Sequence, residues 1–318
     1  MRLLKLVPDD TNIDFMRWRN VALVISLVVT LSSIGFTIYR GLNLGVDFVG
    51  GQMIRTTFAQ PVDVEQLRGR VEGLQLGEAS IQEFGGPKSY QIRLPKPAGG
   101  DATANVAAEK VKALLTQSYP GARIDAVETV SGKVSGELAR DGAMALGLAM
   151  LGIAIYIWFR FEWQFGVGAL VTLFHDVSMI LGFFAFTRRQ VDLNVVAALL
   201  TIVGYSLNDT VVIYDRIREN LRKYRKMAII PLLNLSLNET LSRTIVTSLS
   251  VLLALGVLLL LGPEVIRNLT IAIFLGIFIG TYSSIYISAT ILVWLGVKPD
   301  SFLRADNEPA GGAEPSRA

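Results

Sequence analysis

The sequence predicts an α-helical membrane protein with six transmembrane helices in a 1+5 layout and a small α/β domain, of ferredoxin-like βαββαβ order, outside the membrane. Three observations carry that prediction. The 318 residues are 51% hydrophobic and only 18% charged, whereas soluble domains carry about 25% charge. Six apolar runs approach the roughly 20 helical residues that a bilayer crossing takes. Between the first run and the second lies a long polar segment in which strand and helix signals alternate. The composition also excludes function classes. With no cysteine and a single histidine, His175, disulfide frameworks, thiolate or histidine-rich metal centres and cysteine nucleophiles are ruled out. A net charge of +3 marks no nucleic-acid binder, and no cofactor is expected.

The first run, Val21–Tyr39, exceeds the roughly 7–15 apolar residues of a signal-peptide core, and Arg40 follows it where a small-residue cleavage site would stand. It reads as an uncleaved anchor. The other runs are Gly142–Phe159, Phe165–Phe186, Leu193–Tyr214, Thr244–Leu261 and Leu269–Leu295. The second and fifth of the six are short and are expected to extend into their polar flanks. Basic residues in short loops set the orientation. Arg2, Lys5, Arg17 and Arg19 precede the first span, and the loop after the fourth carries Arg216, Arg218, Arg222, Lys223, Arg225 and Lys226. An even number of spans puts both groups on one side, the cytoplasm, together with both termini. Arg188 and Arg189, after the third span, fall on the opposite side against this bias.

The domain between spans one and two is then periplasmic, in the inner membrane of a Gram-negative cell. Gln52–Ala59 alternates as a strand does. Val62–Glu72 has apolar residues at helical spacing, with Asp63 as a cap and Gln66 three residues on. Ala79–Phe84 and Tyr90–Leu94 read as a hairpin around Gly85-Gly86-Pro87-Lys88. Ala102–Gln117 reads as a helix and Arg123–Val130 as a last strand. That order names a fold and no function. Four glycines in Gly41-Leu-Asn-Leu-Gly-Val-Asp-Phe-Val-Gly-Gly51 permit tight turns, and a flexible joint is one reading of them. The chain thus divides into residues 1–20, a first helix over 21–39, the outer domain over 40–136, five helices over 137–296, and a cytoplasmic tail over 297–318. The tail is rich in Ala, Gly, Pro and Glu, cannot bury enough to fold, and is expected to be disordered.

Chemistry concentrates inside the apolar runs. Asp209 lies in the fourth, where a carboxylate costs at least ~2.5–3.5 kcal/mol on insertion scales. It is either a structural cap or pair, or a protonatable group in a proton path, poised between burial and a nearby cation. The cation is Arg243, placed just before the fifth run at comparable depth near the cytoplasmic leaflet. Its plainer reading is an interfacial anchor that snorkels. Thr244, Thr247 and Ser248 would continue a polar path beside it. His175 and Asp176, adjacent near the middle of the third run, point roughly 100° apart on a helix, so at least one faces protein or water, and a role in proton passage follows for one of them. Asp192 and Asn194 open the fourth span and read as a cap. Gly276, Gly280, Ser284 and Ser288, each four apart, form a small-residue stripe that lets another helix approach closely.

Taken together, several blocks resemble the SecD/SecF family of protein-export membrane proteins, of the resistance-nodulation-division type. They are Leu44-Gly-Val-Asp-Phe-Val-Gly-Gly51, Arg160-Phe-Glu162 with Phe174-His-Asp-Val177, the run from Val203 through Asn208-Asp209-Thr210 to Asn220, Asn238-Glu-Thr-Leu-Ser-Arg-Thr244, and Phe274 to Ser284. The small outer domain resembles the SecF branch more than SecD. The resemblance implies a non-enzymatic transport subunit that pairs with SecD and associates with the SecYEG channel, the SecA ATPase and YajC. It implies that the proton gradient is used to draw unfolded preprotein out on the periplasmic side, that the outer domain holds the emerging chain, and that membrane lipid surrounds the helices. It makes Asp209 the relay carboxylate and Arg243 its cationic partner, with His175 and Asp176 as further relay candidates.

Three other classes remain open from the residues alone. An intramembrane aspartyl protease using Asp176 and Asp209 would need a Gly-x-Gly-Asp motif, which neither aspartate has. A small-molecule exporter of the same superfamily would usually carry both six-span halves in one chain. A structural scaffold, in which Asp209 and Arg243 only lock helices together, is separated from a motor by proton flux.

Overall fold

The computed structural model describes residues 8, 11–77, 79–95 and 101–297. Arg2, Lys5 and the tail from residue 298 onward lie outside them. A 3-10 turn, Phe15–Trp18, leads into α1 (Arg19–Arg40). There follow β1 (Asn43–Leu44), α2 (Val46–Val49), β2 (Gly51–Thr57), α3 (Val64–Glu72), β3 (Ser80–Glu83), β4 (Ser89–Leu94), α4 (Asp101–Ser118) and β5 (Arg123–Val130). The remaining elements are α5 (Gly132–Arg160), α6 (Trp163–Thr187), β6 (Gln190–Val191), α7 (Leu193–Lys223), α8 (Ile229–Leu261) and α9 (Arg267–Trp294). Among the described residues six helices are long and apolar enough to cross a membrane, in the expected one-plus-five order.

The extramembrane domain is an antiparallel sheet of order β3-β4-β2-β5, which with α3 and α4 makes the βαββαβ arrangement. Alternation puts Ile54, Ile81, Ile92 and Leu94 on one face, where Leu67 and Val71 of α3 and Val111 and Leu115 of α4 cover them. Asp63 caps α3, accepting from the Glu65 and Gln66 amides at 2.8 and 3.2 Å. Tyr90 is buried and its hydroxyl donates to the Val62 carbonyl, closing the turn into α3.

In the membrane domain α6, α7 and α9 are the buried centre, and α1, α5 and α8 lie largely exposed around them. Three helices outrun the apolar runs that predicted them: α5 and α8 extend into their polar flanks as expected, and α7 runs on past Tyr214. Only Tyr224–Ala228 separates α7 from α8, so Arg216, Arg218, Arg222 and Lys223 stand on a helix and not in a loop. A hydropathy window stops at the first charges, but packing continues: Ile217 and Leu221 bury against Leu232, Leu233 and Leu237. Arg216 reaches Glu239 of α8 at 2.7 Å, and Asn220 donates to Ser236 at 2.9 Å. The same extension moves Asp209 and Arg243 from a helix end to the middle of helices of 31 and 33 residues. All four tryptophans, Trp18, Trp158, Trp163 and Trp294, are exposed at the end of the bundle away from the domain, as an interfacial aromatic belt requires.

The glycine-rich segment after α1 is a clasp and not slack chain. β1 pairs in parallel with β6, the connection between α6 and α7. The Gly45 amide donates to the Val191 carbonyl at 2.8 Å, and Asn43 Nδ2 to the Arg188 carbonyl at 2.9 Å. From the sheet, Arg93 donates to the Leu44 carbonyl and Gln91 to the Gln190 side chain. Gly50 has φ +76°, ψ 170°, a region open essentially to glycine alone, and a Cβ there would lie 3.2 Å from Gly132 of α5. The clasp also explains the two arginines that break the charge bias. Arg188, in left-handed conformation at the end of α6, donates to the carbonyls of Arg40 and Gly41 at 2.9 and 3.0 Å, partnering the open end of α1. Arg189 donates to Asn268 at 3.3 Å.

Asp192 caps α7 through the Val195 amide at 3.0 Å, as the sequence predicts. Burial holds its carboxyl above the usual carboxylate range, against that amide bond, and the charge of Asp47 adds to the rise. Glu128 on β5 is raised by burial as well, with Arg55 opposing.

The stripe on α9 faces α7 of this same chain. Gly276 lies on Ile202, Gly280 on Ser206, Ser284 bonds Thr210 at 3.0 Å, and the Ser288 carbonyl accepts from Tyr214 at 3.4 Å. Contacts recur every four residues on both helices, which run in the same direction, so the small side chains of one ridge seat the larger ones of the other. A Cβ on Gly276 would fall 2.5 Å from Ile202. Gly276→Val is therefore expected to destabilise the bundle by about 1–3 kcal/mol through overpacking, read as a lower thermal midpoint in detergent. Gly204→Ala on α7, where nothing lies within 4 Å, is the control that leaves the midpoint unchanged or raised.

A second expectation concerns pH. Because the folded carboxyl of Asp192 titrates above its unfolded value, its protonation favours the fold. That stabilisation is present below the ordinary carboxylate range and is lost as pH rises through the raised pKa. Asn keeps the cap without the charge. The difference in thermal midpoint between Asp192→Asn and wild type should thus grow from pH 4 to pH 7, and a constant difference would contradict the assignment.

Candidate functional site

The chemistry gathers along the α7–α9 seam. Asp176, on α6, is 1% exposed. Its Oδ2 accepts from Ser206 of α7 at 2.6 Å and from Ser283 of α9 at 3.0 Å, and its Oδ1 lies 2.8 Å from His175 Nδ1. One carboxylate thus ties three helices, and Gly280 lies beside it and close against Ser206, whose Cβ would be 3.3 Å from a Cβ added there. The expected divergence of His175 and Asp176 around the helix holds for the backbone, yet the imidazole folds back onto the carboxylate and both side chains are buried. His175 Nε2 is buried without a protein partner.

Asp209 occupies a different environment. It is buried on α7, three residues beyond Ser206, and its Oδ2 has no hydrogen-bond partner. A buried polar oxygen left unpaired costs about 1–3 kcal/mol, more when charged. Arg243, on the neighbouring α8, acts on Asp209 electrostatically without a direct ion pair. The Arg243 side chain is exposed near the middle of α8. Of the polar residues expected beside it, Thr244 is buried with an unpartnered hydroxyl, Ser248 bonds Thr281 of α9 at 2.7 Å and accepts from Tyr205 of α7 at 3.3 Å, and Thr247 is exposed and donates back to the Arg243 carbonyl. Tyr205 stands one helical turn before Asp209, hence on its face of α7. Tyr205, Ser248 and Thr281 thus form a line of hydroxyls from α7 through α8 to α9, one helical turn along α7 from Asp209.

The structure thus gathers His175 with Asp176 on α6, and Asp209 of α7 with Arg243 of α8, as two clusters on either side of α7. Ser206, Ser283, Tyr205 and Thr281 had no sequence assignment. The one available signal was hydroxyl residues recurring at helical spacing in otherwise apolar runs. Nor did the sequence assign a contact to Asn234 or to Asn238, the first residue of a family-like block, both on α8. They hold the segment before α1 by bonds to the Met16 and Ile13 amides, at 3.0 and 2.9 Å, partners more than two hundred residues away. Among the described residues no cluster of three or more His, Cys, Asp or Glu side chains offers a metal site.

Comparison with known proteins agrees with this architecture. Residues 110–298 match the family described as protein export membrane protein SecD/SecF, C-terminal, and residues 40–62 match the SecD/SecF GG motif. The protein translocase subunit SecF of Cereibacter sphaeroides is 45% identical over 300 residues, covering 92% of this chain and 93% of that one. The SecF subunit of Rickettsia akari is 45% identical over 291 residues, covering 91% and 94%. The crystal structure of SecDF from Thermus thermophilus, described as a translocon-associated membrane protein, aligns with a TM-score of 0.83 at 35% identity over 90% of this chain. A SecDF structure in a super-membrane-facing form aligns at 0.69 and 34% identity over 96%. This chain spans 39% and 41% of those two SecDF chains. A multi-pass bundle with a GG-motif clasp, aligned over nine-tenths of its length with SecF subunits, places the chain in the SecD/SecF family as a SecF-type protein translocase subunit.

Proposed function

We propose that this subunit couples proton movement to protein export, with Asp209 as the proton-carrying carboxylate, Arg243 as the cation that responds to its charge, and His175–Asp176 as an auxiliary pair on the same seam. The observation that carries the reading is the contrast between two buried aspartates. Asp176 has every near neighbour a carboxylate needs, from two hydroxyls and an imidazole. Asp209 has an unpartnered buried oxygen and a cation that is near but not bonded. A satisfied carboxylate holds helices, whereas an unsatisfied one beside a hydroxyl line gains and loses a proton with little rearrangement of bonds.

Arg243 supports a partner as well. A guanidinium at the middle of an apolar helix is costly against hydrocarbon, so the exposed face of α8 calls for protein, and the second six-helix half supplied by SecD is the occupant we infer. With SecD the subunit would sit in the bacterial inner membrane, both termini cytoplasmic, beside the SecYEG channel, SecA and YajC, and its outer domain would meet unfolded preprotein on the periplasmic side. One charge falling through 100 mV releases about 2.3 kcal/mol, enough to bias a two-state bundle strongly and, over a few protons, to reverse its populations.

Asp209→Asn keeps the shape and removes the titration. In sealed vesicles holding the subunit with SecD and the channel, the variant should assemble normally while the gradient-dependent part of export is lost. Proton conductance in the presence of an unfolded chain should fall with it. Export and conductance equal to wild type would leave Asp209 a structural residue and favour the scaffold reading.

A further inference from the structure

The extramembrane domain meets the bundle at two places of opposite character. The first is the clasp, where Asp47, in the short α2, uses its Oδ2 to accept the Leu193 amide at 3.0 Å, at the first turn of α7. Around it stand the β1–β6 pair, the Gly45–Val191 backbone bond, and the links from Asn43, Arg93 and Gln91. The second is the tip of the β3–β4 hairpin, where Gly85 rests on Glu264 in the turn between α8 and α9. A Cβ on Gly85 would lie 2.8 Å from Glu264 Cγ. No hydrogen bond joins tip and turn among the described residues, and the Glu264 carboxylate instead accepts from Arg267 of α9 at 2.7 Å. Clefts of about 660 and 340 Å³ flank this contact, the larger bordered by Phe84, Arg189, Gln190 and Arg267.

A joint made of directional backbone and side-chain bonds resists sliding, whereas a contact made of packing between two clefts separates at small cost. The helices at the two places are α7, which carries Asp209, and the α8–α9 turn, which ends the helix carrying Arg243. We propose that Asp47 is a positioning residue: it fastens the N-terminus of α7 to the glycine-rich segment, so that the extramembrane domain turns with α7 as one body while its hairpin tip lifts from Glu264. The proposal rests on the proton-coupled reading above. It assigns Asp47 a task distinct from the proton path, that of carrying a displacement of α7 out of the membrane. Losing Asp47 should not unfold α7, because Asp192 still caps it at Val195.

The test uses the chain's lack of cysteine. Spin labels on Pro87→Cys, in the hairpin, and Val265→Cys, in the turn, report the separation of tip and turn in vesicles that also hold a cysteine-free SecD partner and the channel. With Asp47 intact, the distance distribution should lengthen when a proton gradient is applied, and Asp209→Asn should abolish the change. Asp47→Asn keeps an oxygen that accepts the Leu193 amide and should respond as the native residue does. Asp47→Ala should lose the response and lower gradient-dependent export about tenfold, the scale of a typical coupling between sites, with proton conductance retained. A native response that survives Asp47→Ala overturns the proposal alone. An absent response in the native background overturns the proton-coupled reading together with it.

Discussion

The seam between α7 and α9 is the constraint on which the membrane domain depends. Its four-residue rhythm, from Gly276 on Ile202 to Ser288 on Tyr214, brings two parallel helices to the close approach that small residues allow. In lipid no hydrophobic force drives helices together, so such packing and the hydrogen bonds it permits supply the attraction. Close approach brings Ser206 and Ser283 within reach of Asp176 on α6, and Thr210 within reach of Ser284. With α9 held further away, Asp176 would lose Ser283, one of its two hydroxyl donors, and with it the tie to α9.

That seam also fixes the rotation of α7. With Ile202, Ser206, Thr210 and Tyr214 turned to α9, the face bearing Tyr205 and Asp209 is turned toward α8, where Ser248, Thr244 and Arg243 stand. The two clusters are thus consequences of one helix orientation. The bundle spends favourable polar geometry on Asp176 and withholds it from Asp209. An unpaired buried carboxylate oxygen asks for an explanation, and the proton-carrying role proposed for Asp209 supplies one.

Much of this was legible in the sequence. Periodicity located the six helices and all six elements of the βαββαβ domain, because each carries its own pattern of burial. Asp63 and Asp192 announced themselves as caps because a cap acts on amides two or three residues away. The length of helix beyond Asp209 was underestimated because hydropathy marks where apolar residues stop, while the α7–α8 hairpin continues on Ile217, Leu221 and the Asn220–Ser236 bond. The glycine segment looked loose because glycine count measures conformational permission and not use. At Gly50 that permission serves a positive φ and a close approach to α5. Arg188 and Arg189 seemed misplaced because a charge rule counts arginines without asking what their guanidinium groups hold. Asp47 on Leu193 and Ser283 on Asp176 were invisible, since partners separated by more than a hundred residues leave no local trace.

The fastening of α7 constrains how the subunit works. Its N-terminus is held by Asp47 and Asp192, its middle by the seam to α9, and its far end by Asn220 and Arg216 on α8. A helix held at three levels does not answer a change of charge at Asp209 by local bending, since backbone hydrogen bonds within the membrane have no water to replace them. With its far end bonded to α8, the freedom we infer for α7 is a tilt about that end, because beside Asp209 no direct ion pair joins the two helices among the described residues. Such a displacement reaches the extramembrane side at the clasp, because that is where the rod ends.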